Sequence, residues 1–293
     1  MLGLGNDLTA VSFLKRFPCL NLDGTDDYIN VPHHADLKIT SQITVSAWVN
    51  LDTIWGATGW VNPDTDDSDD HNECPIGTIH VGGWRIGIEY GGTAANPSTK
   101  IFWELKVDDT GSGSAGYIKP IWGGVTQTTG STTLHEIKDF NGWVHIAGTF
   151  RAGVATLFIN GSSDLNIGAV DTSDDQVVDT GVSGGVLVYA NNTHVMIGAD
   201  AGHATNNVAA DILRGGLMAE VAVLSTAQNA SSILEIYNDG IPGLDLTTNS
   251  GNYAGSSSLQ GYWKLHNQSE GVADSSGNGQ NGNLNNSPSF IEI

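Results

Sequence analysis

Paired carboxylates are the first chemistry to look for in a chain with 32 Asp and Glu. Glycoside hydrolysis needs an acid and a second carboxylate facing one cleft, ~5–5.5 Å apart when configuration is retained. No ExDxE or ExDxxE run occurs. Glu136 and Asp139 are three apart, so on a strand their side chains point to opposite faces. An HExxH helix, a phosphate loop and a strand–GxGxxG–helix unit are likewise missing. Enzymatic activity is therefore not expected. Hard cations need several oxygens gathered in a tight loop. The densest acidic run, Asp64 to Glu73, lacks the sixth-position Gly and twelfth-position acid of an EF-hand. Cys19 and Cys74 form no disulfide framework and no CxxC pair, and bridged and free states both remain open. The nine His are scattered, and His33-His34 beside Pro32 reads as a surface turn.

Sugar binding calls for an aromatic platform with Asn, Asp and Gly contacts on loops. Trp55, Trp60, Trp84, Trp103 and Trp122 sit in or near loops and the middle strands. Trp60 and Trp122 are the expected stacking residues.

Composition narrows the partners. With 11 Lys and Arg the net charge is −21, which argues against a nucleic-acid backbone or an anionic membrane. Eight Trp and 39% hydrophobic residues exclude a disordered acidic chain. A chain of 293 residues can bury ~75% of its unfolded surface without staples. Its 38 Gly and 8 Pro fit many tight turns between short strands. The N-terminal apolar residues are interrupted by Asn6, Asp7 and Thr9, and no apolar run approaches a membrane span, so neither an export signal nor an anchor is expected.

Period-2 alternation supplies the scaffold. Thr44 to Val49 places Val45, Ala47 and Val49 on one side and Trp48 on the other. Trp84 to Tyr90 and Lys100 to Val107 alternate too, the latter with Ile101, Trp103, Leu105 and Val107 on one face. Trp143 to Phe150 and Ala155 to Ile159 flank Arg151-Ala152-Gly153, a short hairpin connection. His194 to Gly198 and Leu217 to Leu224 read as further strands. Ser225 to Gly240 breaks the pattern as a short helix, with Ile233, Ile236 and Tyr237 on one stripe and Gly240 at its left-handed C-terminal position.

Several blocks carry a family resemblance. Asn21 to Pro32 (NLDGTDDYINVP), then TVSAWV, GWVHIAGTF, LFINGS, VMIGAD and GGLMAEVAVL, stand in register with a helix ending in IYNDG. Together they resemble a laminin G-like, concanavalin A-like domain. The resemblance implies an all-β fold: a two-sheet antiparallel jelly-roll sandwich with one short helix. GYWKL at 261–265 and DSSGNGQNGNL at 274–284 resemble the segment that usually precedes the first strand, so the C-terminal strand segment reads as permuted. Residues 1–20 form an N-terminal arm and 21–293 a single sandwich domain. In family blocks, Trp48, Trp143 and Trp263 are expected in the core. The resemblance also implies one Ca²⁺ between terminal strands, with Asp23, Asp274 and Asn278 as its expected ligands.

The opening MLGLGNDLT, a short spacer and LDGTDDYI also resemble small laminin G-like proteins of marine tailed bacteriophages. That resemblance implies a non-enzymatic virion structural protein, a capsid decoration or tail-fibre component assembled in the host cytoplasm and possible contact with host-surface glycans. The alternative is a secreted or cell-surface carbohydrate-binding lectin module; a glycoside hydrolase is disfavoured by the missing carboxylate pair. The arm exposes Leu4, Leu8, Phe13 and Phe17, apolar residues expected to bind other virion proteins or a second copy in a homo-oligomer.

Overall fold

A computed structural model describes residues 17–50, 73–79, 83–93, 96–108, 116–118, 121–122, 142–163, 167–168, 185–189, 193–201, 209–213 and 215–293. The strands among them are β1 (Pro18–Leu22), β2 (Tyr28–Val31), β3 (Gln42–Asn50), β4 (Glu73–Ile79), β5 (Trp84–Thr93) and β6 (Asn96–Asp108). They continue with β7 (Gly116–Ile118), β8 (Ile121–Trp122), β9 (Val144–Arg151), β10 (Val154–Ile159), β11 (Ile167–Gly168), β12 (Val186–Leu187) and β13 (Val195–Ile197). The last are β14 (Ala199–Ala201), β15 (Ala209–Ile212), β16 (Gly216–Leu224), β17 (Leu259–Trp263), β18 (Asn283–Asn285) and β19 (Ser289–Glu292). No helix among the described residues is long and apolar enough to cross a membrane.

Two antiparallel sheets form the sandwich. The seven-stranded sheet runs β10-β9-β3-β16-β1-β19, with β17 also on β16. The ten-stranded sheet runs β11-β8-β6-β5-β4-β13-β2-β18, with β7 and β12 also on β6, and β14–β15 make a separate hairpin. Alternation sets the facing layers. Val45, Ala47 and Val49 from β3 and Ile146 and Phe150 from β9 share one buried cluster with Ile86, Ile88, Ile101, Trp103 and Leu105 of the other sheet. Gly148 on β9 is what admits Trp103: a Cβ there would lie 2.3 Å from the indole, whose Nε1 donates to Thr149 O at 3.2 Å.

The seven-stranded sheet is covered on its outer face as well. Ile233 and Ile236 of the helix Ala230–Tyr237 pack with Ala147, Ala222, Leu224 and Tyr253. The helix is shorter than the sequence stretch that announces it. Asn229 caps its start by accepting from Ser232 N at 2.9 Å. Its end comes at Asn238, already left-handed at φ 48°, two residues before Gly240. Asn tolerates that conformation, so Gly was not needed to stop the helix. A second, four-residue helix spans Gln268–Gly271.

The first described residues meet the C-terminus. β19 pairs with β1 and β18 with β2, so the C-terminal segment extends each sheet beside its first strand. Phe17 N donates to Ile293 O at 2.8 Å, and Ile293 N returns a bond to Phe17 O at 3.2 Å. Phe17 is 8% exposed and its ring sits edge-on to Trp143 and His266, while Leu20 is fully buried. Phe17 to Leu20, inside the 1–20 segment read from sequence as an arm, thus belong to the sandwich, because β1 pairs with both β16 and β19. Leu4, Leu8 and Phe13 lie outside the described residues.

Candidate functional site

The turn joining β1 to β2 gathers three carboxylates. Asp23 Oδ1 accepts from Thr25 N at 2.8 Å and Asp26 N at 3.4 Å, an Asx turn that folds the loop over itself. Asp27 Oδ2 accepts from Asp23 N at 3.0 Å. Oxygens of Asp23, Asp26 and Asp27 consequently lie within 4.8 Å of one another. Asp27 is buried while its two neighbours are exposed. Burial, and then the charges of Asp23 and Asp26, push its carboxyl above the usual range. Three hard oxygens with mutual repulsion fit a divalent cation such as Ca²⁺, the remaining ligands coming from carbonyls or water.

Asp274 is used differently. Its Oδ1 accepts from Tyr262 N at 3.0 Å and Ser276 N at 2.9 Å, and its Oδ2 accepts from Ser276 Oγ at 2.7 Å and Gln280 N at 3.0 Å. Asn278 Nδ2 donates to the carbonyls of Leu259 and Gln260 at 2.9 and 3.0 Å. These two residues tie the 274–280 loop to β17. They do not join the acidic group, whose members among the described residues are Asp23, Asp26 and Asp27. The C-terminal segment reaches that group instead through Ser287 N, which donates to Asp27 Oδ1 at 3.2 Å, and Asn286 Nδ2, which donates to Asp26 O.

A second polar group lies on the outer face of the ten-stranded sheet, opposite the core side of Trp84 and Ile86. Arg85 Nε and Nη2 each donate to a Glu104 oxygen at 2.8 Å, in a two-pronged pair. Its Nη1 donates to Asp200 Oδ2 at 3.3 Å, and Asp200 Oδ1 accepts from Thr78 Oγ1 at 3.3 Å. The guanidinium lies 5.7 Å from the Phe102 ring centre. One cation thus holds both carboxylates and ties β5, β6 and β14 together. Such an arrangement suits cohesion better than proton delivery to a glycosidic oxygen.

The third group is Glu220, buried at φ 55° where the register of β16 against β3 shifts between Ala219 and Ala222. The bulge turns its carboxylate toward Tyr262, whose hydroxyl donates to Oε2, and toward His266 Nε2, 2.7 Å from Oε1. Burial and then the Glu220 charge raise the Tyr262 phenol.

The tryptophans divide differently from the sequence expectation. Trp84 and Trp103 are 1% and 0% exposed, core residues and not candidate platforms. Trp48 and Trp263 are buried as expected, and Trp143 is half-buried against Phe17. Trp122 occupies β8, opposite Ile101 and Ile167, and Trp60 lies outside the described residues. Sequence reasoning missed Asp26 and Asp27 as companions of Asp23, although NLDGTDDY displayed them. Arg85, Glu104 and Asp200 had no such signal, since 19 and 115 residues separate the partners.

Comparison with known proteins follows the same lines. The family described as the concanavalin A-like lectin/glucanases superfamily matches residues 23–234. Among solved structures, a candidate carbohydrate-binding protein from Bacteroides ovatus is 16% identical, at TM-score 0.49, over 96% of this chain and 61% of that one. This chain thus spans less than two thirds of that protein's length. A heptameric SAP-like pentraxin from Limulus polyphemus is 11% identical over 94% of both chains, at TM-score 0.41. Domains LG4-5 of the mouse laminin alpha1 chain are 12% identical over 72% of this chain and 44% of theirs, at TM-score 0.34. No curated protein matches the chain.

Proposed function

Because the chain belongs to the concanavalin A-like lectin/glucanase superfamily, we propose that it is a non-enzymatic, lectin-type binding module on the exterior of a tailed-phage particle, where it contacts host-surface glycans. The observation that carries binding over cleavage is the Arg85 group. Glu104 on the outer face of the large sheet and Asp200 on the adjoining β14 are both committed to one guanidinium. Retaining hydrolysis needs one carboxylate to attack and another to donate a proton. Asp23, Asp26 and Asp27 would hold a Ca²⁺ that fastens the β1–β2 turn near the C-terminal segment. The virion placement rests on the resemblance of the opening residues to marine phage proteins. It is supported by a net charge of −21, which keeps particles dispersed. Residues 1–16 attach at Phe17, beside the C-terminus, and their apolar side chains would dock to other virion proteins or to a second copy.

A glycan array probed with multivalent protein, with and without Ca²⁺, tests the binding, since many weak contacts add up on a particle. Neutral glycans should be retained, and an empty array under both conditions would remove the lectin reading. Immunogold labelling of purified virions tests the placement. Unlabelled particles beside a positive array would leave a secreted or cell-surface lectin.

A further inference from the structure

The C-terminal segment makes a cleft of its own. Gln268, Asn286 and Ser289 supply polar groups to its lining, and Leu284, Pro288 and Phe290 supply apolar ones. All of them lie beyond residues 23–234, the part that matches the family. We infer that this cleft is a binding site for a neutral sugar ring, an inference that rests on the lectin-type reading above.

Four features point to that ligand class. The cleft encloses about 380 Å³, within the usual range of ligand pockets. Its mixed lining matches a sugar, which has one apolar C–H face and a rim of hydroxyls. Phe290 is only half-buried, so part of its ring remains available for stacking. The Gln268 side chain is exposed and makes no hydrogen bond among the described residues, leaving a donor and an acceptor for hydroxyls.

Asn286 fixes the geometry. It stands at φ 68°, and its amide nitrogen is spent on Asp26 O, which leaves Oδ1 as an acceptor. Ser287 N is similarly spent on Asp27 Oδ1. The cleft is therefore braced against the acidic turn, with Asn286 in a left-handed conformation that Asn tolerates.

Charge sets the specificity. The Asp27 carboxylate lies one hydrogen bond away, with Asp23 and Asp26 clustered beside it, and no Lys or Arg is among the described residues lining the cleft. Even with a Ca²⁺ on the turn, three carboxylates leave net negative charge beside the cleft, which disfavours uronates, sialates and sulfated sugars but not a neutral hexose.

Affinity electrophoresis decides the matter, using gels containing laminarin, mannan, alginate or carrageenan. Wild type is compared with Gln268→Ala, Phe290→Leu and Trp122→Ala, each checked for an unchanged melting temperature. Leu at 290 keeps apolar packing and removes the stacking face. The expected result is retardation by laminarin or mannan, weakened at least fivefold in Gln268→Ala and Phe290→Leu and unchanged in Trp122→Ala. Retardation of wild type and both cleft variants alike overturns the cleft while leaving the lectin reading intact. Binding confined to alginate or carrageenan overturns the neutral class. Retardation by none of the four removes the cleft, and an empty glycan array as well would remove the lectin reading with it.

Discussion

His145 carries an imidazole that is fully buried on β9, 5.1 Å from the Trp48 ring, with neither ring nitrogen hydrogen-bonded. Burial drives its pKa down to about 3. The sign of the consequence is fixed by linkage. Above pH 6.5 the imidazole is neutral in both folded and unfolded chains and costs no proton. Below it the unfolded chain takes up a proton that the folded one refuses, so stability falls by about 1.4 kcal/mol per pH unit until pH 3. His145→Phe should flatten this acid limb in urea titrations between pH 4 and 6.5; an unchanged slope would show that another group governs it. Ala152 offers a second check. It stands at φ 50° beside Gly153 at φ 85°, the pair of left-handed residues that a two-residue hairpin demands. Ala pays a steric cost there that Asn largely avoids, so Ala152→Asn should stabilise by about 1 kcal/mol, read as a raised melting temperature. A lowered melting temperature would contradict the turn assignment.

Sheet-on-sheet contact depends on Gly148 and Trp103 at the scale of elements. Gly148→Ala places a methyl inside the indole and should destabilise by about 3 kcal/mol, measured by urea unfolding. A change below 0.5 kcal/mol, within the ordinary surface range, would mean the sheets are not packed this way. Strand alternation made β3, β5, β6, β9, β10 and β16 legible, since one face of each had to be apolar. Trp103 was legible as one of four alternating residues, yet its choice between core and platform was not. That choice depended on a glycine 45 positions away in the other sheet. The acidic turn was half legible, because its three Asp are adjacent in sequence. DSSGNG offers ligand-type residues, and only the fold reveals that four donors meet the oxygens of Asp274 and tie its loop to β17. Glu220, His266 and Tyr262 come together through a bulge, which no spacing rule announces.

Across the whole molecule, the ends and the charge set the behaviour. Phe17 belongs to the sandwich, so removal of residues 1–16 should leave the melting temperature unchanged, while removal of 1–17 should lower it by about 5–10 °C. The shorter deletion should still abolish incorporation into particles if the arm docks there. EDTA should lower the melting temperature of wild type by mass action, and Asp26→Asn, which touches no hydrogen bond of the turn's side chains, should shrink that shift. An EDTA-insensitive melt would show that the three carboxylates hold no cation. The central claim, that this sandwich holds glycans without cutting them, is read most directly by light scattering during size-exclusion chromatography of the multivalent protein with laminarin or mannan. The account predicts a complex heavier than either component and a polysaccharide mass that stays constant over a day. A falling polysaccharide mass, or two components eluting independently, would contradict it.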